Sequence, residues 1–506
     1  MPSDTTKPLG AIEHVVVLML ENRSFDNVLG WLYDPGNPLP FKQPPLGQAF
    51  NGVSGKDLWN PWNKGELVVK IPVGATTDTI NPYPDPGEVY GDVYGQMYNV
   101  YPVPVSIPAN PPQPPAMMGF VNNYASQKGV TAPGNIMNGF RPLTLPTVAQ
   151  LANQFVVCDN WYASVPSQTL TNRSFMHAGT ASGYVNNDVG LLPLFINDTP
   201  TIFNLMEAQN ISWRIYYGSY WFLCMAFLNQ KQLERYVFDF GPRRIFPFQQ
   251  FLDDAKSGAL PSYTFIEPNF MDSCFYGREN DMHPDAAIKD IDGKPSDAIF
   301  GDELVRKVYQ ALKSGPLWNN TLFIINYDEH GGTYDHVAPG PATPPDDRII
   351  EKGKPGYSGF GFNRYGVRVP AIMVSPLLVA GTVDSTLYDH TSVLRTAMQQ
   401  FGITGSLGQR TGNANFILPP FAGAPRTDVP DFPTPVAPEN SAVADAPLTG
   451  IQSSIVQGAA LRLRELSRTP APAAAADQAK LTTRLSAEAE LLRIAQSAGL
   501  EDVQPR

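Results

Sequence analysis

The run Ile12-Glu-His-Val-Val-Val-Leu-Met-Leu20 limits this chain more than any other feature. It is short, β-branched and largely apolar, so it reads as a strand buried on both faces at the centre of a parallel sheet. Glu21-Asn22-Arg23-Ser24 follows at once, at the strand end where an open α/β sheet presents its ligands. Phe25–Leu32 then has helical spacing, with Ser24 or Asp26 able to cap it. Similar apolar runs recur at Phe155–Val157, Tyr263–Ile266, Thr321–Ile325 and Val367–Val374. Asp297–Ser314 is the clearest helix, with Phe300, Leu304, Val308 and Leu312 at a four-residue repeat. Strands alternating with helices predict an α/β sandwich.

The chain has 506 residues, enough for two to four domains or one large enzyme core with appendages. Its 50 prolines exclude regular helical bundles, because they need loops, and its aromatic content of 11% excludes disorder throughout. The prolines gather in two places. Residues 34–118 are rich in Pro, Gly, Asn and Tyr and read as a long insertion whose aromatics pack on something. Residues 426–506 read as a Pro/Ala-rich linker and helical tail, with helices over Leu448–Leu466 and Lys480–Ala498. The catalytic domain is therefore expected to occupy 1–425.

The net charge of −11 repels nucleic acid and anionic membranes, so no nucleic-acid partner is expected and membrane contact is at most transient. Any anionic substrate must be held by a local device. Three scattered cysteines make neither a disulfide framework nor a thiolate zinc site. No secretory signal or spanning segment is visible, which gives a cytoplasmic location by default, although export by another route would leave the same sequence. The sequence leaves the oligomeric state open.

Three polar clusters fall at or near strand ends: Glu21 to Asp26, Ser164 to Gly183, and Asp328-Glu-His-Gly-Gly-Thr-Tyr-Asp-His336. Taken singly, the first two can be turns and helix caps. The third resists that reading, since adjacent acids, two histidines and a Gly-Gly after an apolar strand are costly to place without a ligand. Together the clusters supply what phosphoryl transfer to water needs. Oxygen donors from Glu21, Asn22, Asp328 and Glu329 could hold one divalent cation, and a hydroxyl between them could be the nucleophile. Such ligands favour Ca, Mg or Mn, while entry of His283 or His330 would shift the preference toward Zn or Fe.

The sequence resembles the phosphoesterase family that joins bacterial phospholipases C, plant non-specific phospholipases C and respiratory-burst-inhibiting acid phosphatases. The resemblance runs from about Ile12 to Ile403. It is carried by Glu-Asn-Arg-Ser-Phe-Asp at 21–26, Thr-Leu-Thr-Asn-Arg at 169–173, Asn280-Asp-Met-His-Pro284, Tyr327-Asp-Glu-His-Gly-Gly332 with Tyr334-Asp-His336, and Tyr388-Asp-His-Thr-Ser-Val393. It implies an alkaline-phosphatase-like three-layer α/β sandwich around a largely parallel sheet. By the same resemblance Glu21, Asn22, Asp328 and Glu329 bind metal, and Thr169 is a nucleophile that forms a phosphothreonine. Asn172 and Arg173 complete the pattern, His283 is phosphate ligand and leaving-group acid, and His336 lines the pocket.

Two departures stand out. Thr171 replaces the family's Pro, leaving Thr171 and Ser167 as reserve nucleophiles. Asp85-Pro-Gly-Glu88 carries a carboxylate where many phospholipase-type relatives have histidine, so Glu88 ligates metal, acts as an acid when protonated, or stands aside. His14, His177 and His390 are expected to be structural, and His330 to be a ligand or a residue orienting one. The resulting expectation is a metal-assisted hydrolase of phosphoric esters, acting as a phospholipase C on phospholipids. A broad acid phosphatase, or a lipid- or polysaccharide-binding protein on the same fold, is the alternative.

Overall fold

The computed structural model describes residues 7–104, 107–108, 110–112, 114–187, 197–220, 223–236, 243–273, 277–284, 296–348, 350, 352, 357–432, 448–467 and 483–497. Among them, eight strands form one sheet: β1 (His14–Leu20), β2 (Val156–Cys158), β3 (Trp213–Tyr217), β4 (Ile245–Pro247), β5 (Tyr263–Ile266), β6 (Thr321–Tyr327), β7 (Ala371–Val374) and β8 (Thr382–Asp384). Their order in space is β8-β2-β7-β6-β1-β5-β3-β4. All neighbours pair in parallel except at β7, which runs against both β6 and β2. The result is a mixed α/β fold around a large, mostly parallel sheet.

The apolar runs form strands because both faces of the sheet centre are covered. All of β6 and every residue of β1 after His14 are buried. The expected strand over Val367–Val374 begins only at Ala371, since Pro370 has no N–H to give a ladder. The helices described below are α1 (Phe25–Val28), α2 (Tyr90–Tyr98), α3 (Thr169–Ala178), α4 (Ala298–Ser314), α5 (His390–Gln400), α6 (Gly450–Ser467) and α7 (Arg484–Ser497). One group packs α4 with the helices Pro146–Gln154 and Phe248–Ser257, and another packs α3 with α5 and the helix Met225–Asn229. Asp297 caps α4 through its side chain, and Ser24 caps α1, which is a single turn rather than the longer helix expected.

Register decides where the polar clusters meet. β1 and β6 are adjacent and parallel, with Leu20 opposite Tyr327. The next residue of each strand, Glu21 and Asp328, therefore leaves the sheet side by side.

The insertion is folded. Strands Trp59–Lys64 and Leu67–Pro72 make an antiparallel hairpin, and α2 packs with helix Phe120–Ala125 in a smaller core built on Val93, Met97, Phe120 and Tyr124. The tail helices α6 and α7 form close to where they are expected, with Lys480 to Thr482 and Ala498 outside the described residues. They lie against the catalytic core rather than beyond it. Ile455, Val456, Leu463 and Leu491 join the main hydrophobic cluster, while Arg484 is buried with Asp272 and Glu279 at 3.4 and 3.3 Å. No described helix is long and apolar enough to cross a membrane.

Candidate active site

Glu21, Asn22, Thr169, Arg173 and Asp328 converge at the ends of β1 and β6, all of them fully buried. Asn22 takes a left-handed conformation, φ +48°, which Asn tolerates better than most residues. Its N–H donates to Asp328 Oδ1 at 3.1 Å. Gly331 and Gly332 are needed for closure: a Cβ on Gly331 would meet Asn22 O at 2.1 Å, and one on Gly332 would meet Gly87 O at 2.6 Å. Both have positive φ. The Gly-Gly thus brings the acid pair against Asn22 on one side and the insertion on the other.

Thr169 opens α3 and its hydroxyl lies 3.0 Å from Glu21 Oε2 and 3.2 Å from Asn22 Oδ1. The reserve hydroxyls face elsewhere: Thr171 donates to Tyr184 O at 2.5 Å, and Ser167 to Val185 O. Arg173 lies one helical turn on from Thr169 and reaches back to Glu21 Oε1, with Nε at 2.9 Å, while its Nε is also 3.6 Å from Asp328 Oδ2. Asn172 turns its side chain into the loop before the helix. Its side chain bonds Val165 N at 2.9 Å, Ser167 O at 2.8 Å, and Val165 O and Gln168 O at 3.2 Å, so it holds the loop that leads into Thr169.

The acids can accept a cation. Asp328 Oδ2 and Glu329 Oε1 are buried without a hydrogen-bond partner, an arrangement that costs free energy unless a positive charge compensates. Burial, followed by the charge of Asp328, pushes the Glu21 carboxyl well above its ordinary value despite Arg173. Burial, Glu88 and Asp328 do the same to Glu329. Glu21, Asp328 and Glu329 offer oxygen donors of the kind hard cations take, although their oxygens are not gathered within 4.8 Å of one another and Arg173 lies beside Glu21 and Asp328. A tighter group of metal-capable side chains, Asp85, Glu88 and His283, offers ligand atoms within 4.8 Å of one another. Metal use is thus supported by the side chains present.

His283 is buried beside Glu88, with Nε2 3.5 Å from Glu88 Oε2 and Nδ1 2.5 Å from Pro284 O. Burial alone would lower its pKa, but Asp85, Glu88 and Asp281 outweigh it and hold the imidazole well above its ordinary value. Glu88 belongs to the insertion. It accepts from Asn22 Nδ2 at 2.5 Å and from Gln168 Nε2 at 3.1 Å.

His336 is not brought to this group. Its Nδ1 is 2.6 Å from Asp26 Oδ2 and its Nε2 is 2.7 Å from Lys56 Nζ, in a second cluster with Asp335 and Arg368. Although Asp26, Asp335 and His336 are also close enough to share an ion, Arg368 already lies 3.0 Å from both carboxylates. The other histidines support the frame. His390 Nε2 meets Asp328 O at 2.7 Å, and His330 Nε2 meets Gln96 Oε1 at 2.8 Å, while burial pushes His330 down to about 3. His14 is bonded to Pro261 O at 2.9 Å, and His177 is driven to about 3 by burial among Phe203 and Phe265. Sequence reasoning missed Gln168 and Gln96. Gln168 had one available signal, its place immediately before Thr169; Gln96 had none.

Acids able to bind a cation, a hydroxyl aimed at them and a cationic histidine nearby, on this sheet, define a hydrolase of phosphoric esters. The chain belongs to the Phosphoesterase family, whose model matches residues 12–404. Non-specific phospholipase C6 of Arabidopsis thaliana is 34% identical over 467 residues, 89% of this chain and 80% of that protein. Non-specific phospholipase C3 of the same plant is 33% identical, covering 89% and 82%. Phospholipase C A of Mycobacterium tuberculosis (strain ATCC 25618 / H37Rv) is 26% identical over 457 residues, 83% of this chain and 80% of its own length. Among solved structures, a protein of the alkaline phosphatase superfamily from Vibrio parahaemolyticus matches 54% of this chain and 64% of its own, at 14% identity and a TM-score of 0.31. That likeness is too slight to add to the strand order.

Proposed function

We propose that this phosphoesterase is a phospholipase C that cleaves phospholipids on the glycerol side of the phosphate, through a phosphothreonine at Thr169. The reading is carried by one observation: the Thr169 hydroxyl faces both Glu21 and Asn22 at the mouth of β1 and β6. A hydroxyl has one proton to donate and two acceptors face it, so the proton is drawn to this side and the remaining lone pairs are turned to phosphorus. The likeness to proteins named non-specific phospholipase C supports the choice of substrate class.

Thr169 Oγ1 forms a bond to phosphorus as the bond to the glycerol oxygen breaks, with its proton passing to Glu21. His283, charged and close by, gives a proton to the departing oxygen and releases diacylglycerol. Water then attacks the phosphothreonine and frees the phosphorylated head group, so the difficult displacement is split into two easier steps. Glu21, Asn22, Asp328 and Glu329 would hold one divalent cation, which when bound offsets the phosphate charge that an acidic protein repels. Arg173 braces Glu21 and Asp328 so that both point inward.

The test is a panel of phosphatidylcholine, phosphodiesters and phosphomonoesters, assayed after chelation and after return of each of Ca, Mg, Mn, Zn and Fe. Release of diacylglycerol together with phosphocholine is expected, with activity lost on chelation. Turnover confined to monoesters would reject the phospholipase reading.

A further inference from the structure

The insertion's antiparallel hairpin, Trp59–Lys64 with Leu67–Pro72, leaves apolar side chains uncovered at its tip. Lys64 pairs with Leu67, so Gly65 and Glu66 make a two-residue turn, with Gly65 at φ +66°. Nothing packs on that turn, since a Cβ added to Gly65 would have no atom within 4 Å. A free turn is ordinarily flanked by polar residues. Here Leu67 and Val68 follow it, each 62% exposed. Side chains alternate along the strand, so Leu67 and Val69 share a face with Ile71, and Val68 shares the other with Lys70. Ile71 and Trp62 pack on the insertion's small core, while Leu67, nearer the turn, is outside it.

Two tryptophans and two lysines border this tip. Trp59 and Trp62 are half-buried, with Lys70 Nζ 5.0 Å from the first ring and Lys64 Nζ 5.3 Å from the second. A water–lipid boundary favours that distribution. Indole rings sit at head-group depth, and lysine stems lie along apolar surface while their ammonium groups stay in water. Between Lys56 and Pro72 three lysines face two acids, Asp57 and Glu66, so the hairpin is close to neutral on a chain of net charge −11. That balance suits a zwitterionic surface and disfavours an anionic one.

The hairpin is fixed to the end of the sheet that carries the acids. Asn60 Oδ1 accepts from Phe120 N at 2.8 Å, and Asn122 Oδ1 accepts from Asn63 N at 2.8 Å. Phe120 in turn stands edge-on to His330 and Tyr334, with ring centres 6.2 and 5.3 Å apart. Both lie in the loop that leaves β6 through Asp328 and Glu329. Beside the hairpin's first strand, Lys56 Nζ reaches Asn51 Oδ1 at 2.6 Å and His336 Nε2 at 2.7 Å in the same loop.

We infer that the hairpin tip is a docking surface for a zwitterionic phospholipid bilayer, into which Leu67 and Val68 insert while Trp59, Trp62, Lys64 and Lys70 rest at head-group level. The choice of occupant rests on the phospholipase reading given above. Docking here turns the acid-bearing end of the sheet toward the layer that holds the substrate. With two aliphatic side chains inserted, the attachment is weak and reversible.

The experiment reads co-sedimentation of the full chain with sucrose-loaded phosphatidylcholine vesicles, on ice and with lipid in large excess, and turnover of the same vesicles alongside. The double variant Leu67→Glu, Val68→Glu should partition about 10-fold or more weakly than the wild type and lose a similar factor on vesicles. It should hydrolyse dihexanoyl phosphatidylcholine, dispersed as single molecules, within about 2-fold of the wild type. Leu67→Ser with Val68→Ser serves if a thermal melt shows that the charged pair disturbs folding. Leu46→Glu is the control: Leu46 is fully exposed too, but its neighbour Pro45 lies against Gly381 at the start of β8, the opposite end of the sheet. Its partitioning should match the wild type. Wild-type protein left in the supernatant, a tip variant that sediments as well as the wild type, or an equal loss in the Leu46 variant would overturn the proposal. So would an equal loss on the dispersed lipid, which would place the hairpin's effect in the site itself. Tighter binding when phosphatidylserine is added would make the occupant an anionic surface, and a tip variant of altered oligomeric state would make it a second copy of this chain; either rejects the assignment. If the wild type releases no diacylglycerol from the dispersed lipid, the phospholipase reading fails instead, which is a separate result.

Discussion

The hydroxyl of Thr169 lies 3.0 Å from Glu21 Oε2 although 148 positions separate them in the chain. The contact exists because β1 and the start of α3 are brought to one edge of the sheet, and it gives the clearest test of the chemistry. Thr169→Ala should lower kcat by roughly 10³-fold or more with an unchanged melting temperature, while Thr169→Ser should retain measurable turnover. Steady-state assays with a chromogenic phosphodiester and a thermal melt decide it. Normal activity in the alanine variant would remove Thr169 from the mechanism.

Asn172 should behave as a structural residue whose loss reaches the site indirectly. Replacing it with Ala leaves Val165 N, Ser167 O and their neighbours without partners in a buried loop, which costs about 2 kcal/mol or more. Urea denaturation should show that loss, and activity should fall with it because the loop delivers Thr169. An Asn172→Ala protein of full stability with no activity would point to direct contact with substrate instead.

His336 and Arg368 provide a control. Arg368→Ala leaves Asp26 and Asp335 buried without their cation, so a loss of about 3–5 kcal/mol is expected. His336→Ala should change kcat/KM by less than about 10-fold, since its contacts are with Asp26 and Lys56. A loss near that of Thr169→Ala would return His336 to the catalytic group. Burial would raise the Asp26 carboxyl, but Arg368 and His336 outweigh it and hold it below its ordinary value. The stability this adds is present above the unfolded carboxyl's pKa and should be lost on acidification.

Asp302 gives a pH dependence of opposite sign. From α4 it accepts the N–H groups of Thr147 and Val148 at 3.1 and 2.8 Å, and burial raises its carboxyl from 3.8 to about 6. Between those values the folded chain binds more proton than the unfolded one, so this group's contribution to stability falls as pH rises through the window. The span corresponds to roughly 3 kcal/mol. Asp302→Asn cannot ionise, and the difference in unfolding free energy between it and the wild type should therefore change between pH 4 and 6. A pH-independent difference would contradict the assignment.

The sequence made the centre of the sheet readable because burial on both faces leaves an unbroken apolar run, as at Val15–Leu20 and Thr321–Ile325. The Gly-Gly at 331–332 was readable as close backbone approach, and it lies against Asn22 and Gly87. The reversed direction of β7 was not readable, because a four-residue strand carries no mark of its orientation. The parting of Asn172 and His336 from Thr169 was hidden for a different reason. Neighbours in sequence turn to different sides of a helix or loop, and which side faces the acids depends on packing that a linear pattern does not encode. Glu88 was visible as a departure, yet its three partners come from the turn after β1, the cap before α3 and the loop before α4.

Arg484 in α7 is the buried cation around which Asp272 and Glu279 are arranged, and the loop holding those two acids continues into Asn280–Pro284 and His283. A chain emerging from the ribosome folds from its beginning, so β1, α3 and β6 can assemble long before that cation is made. Until α7 has been synthesised and docked, Asp272 keeps Arg278 and Glu279 can keep Gln452 of α6, but the loop that leads to His283 lacks one of its buried cations. The enzyme should therefore reach its full activity only once α7 has been joined and docked, its activity timed by the order in which its residues are made.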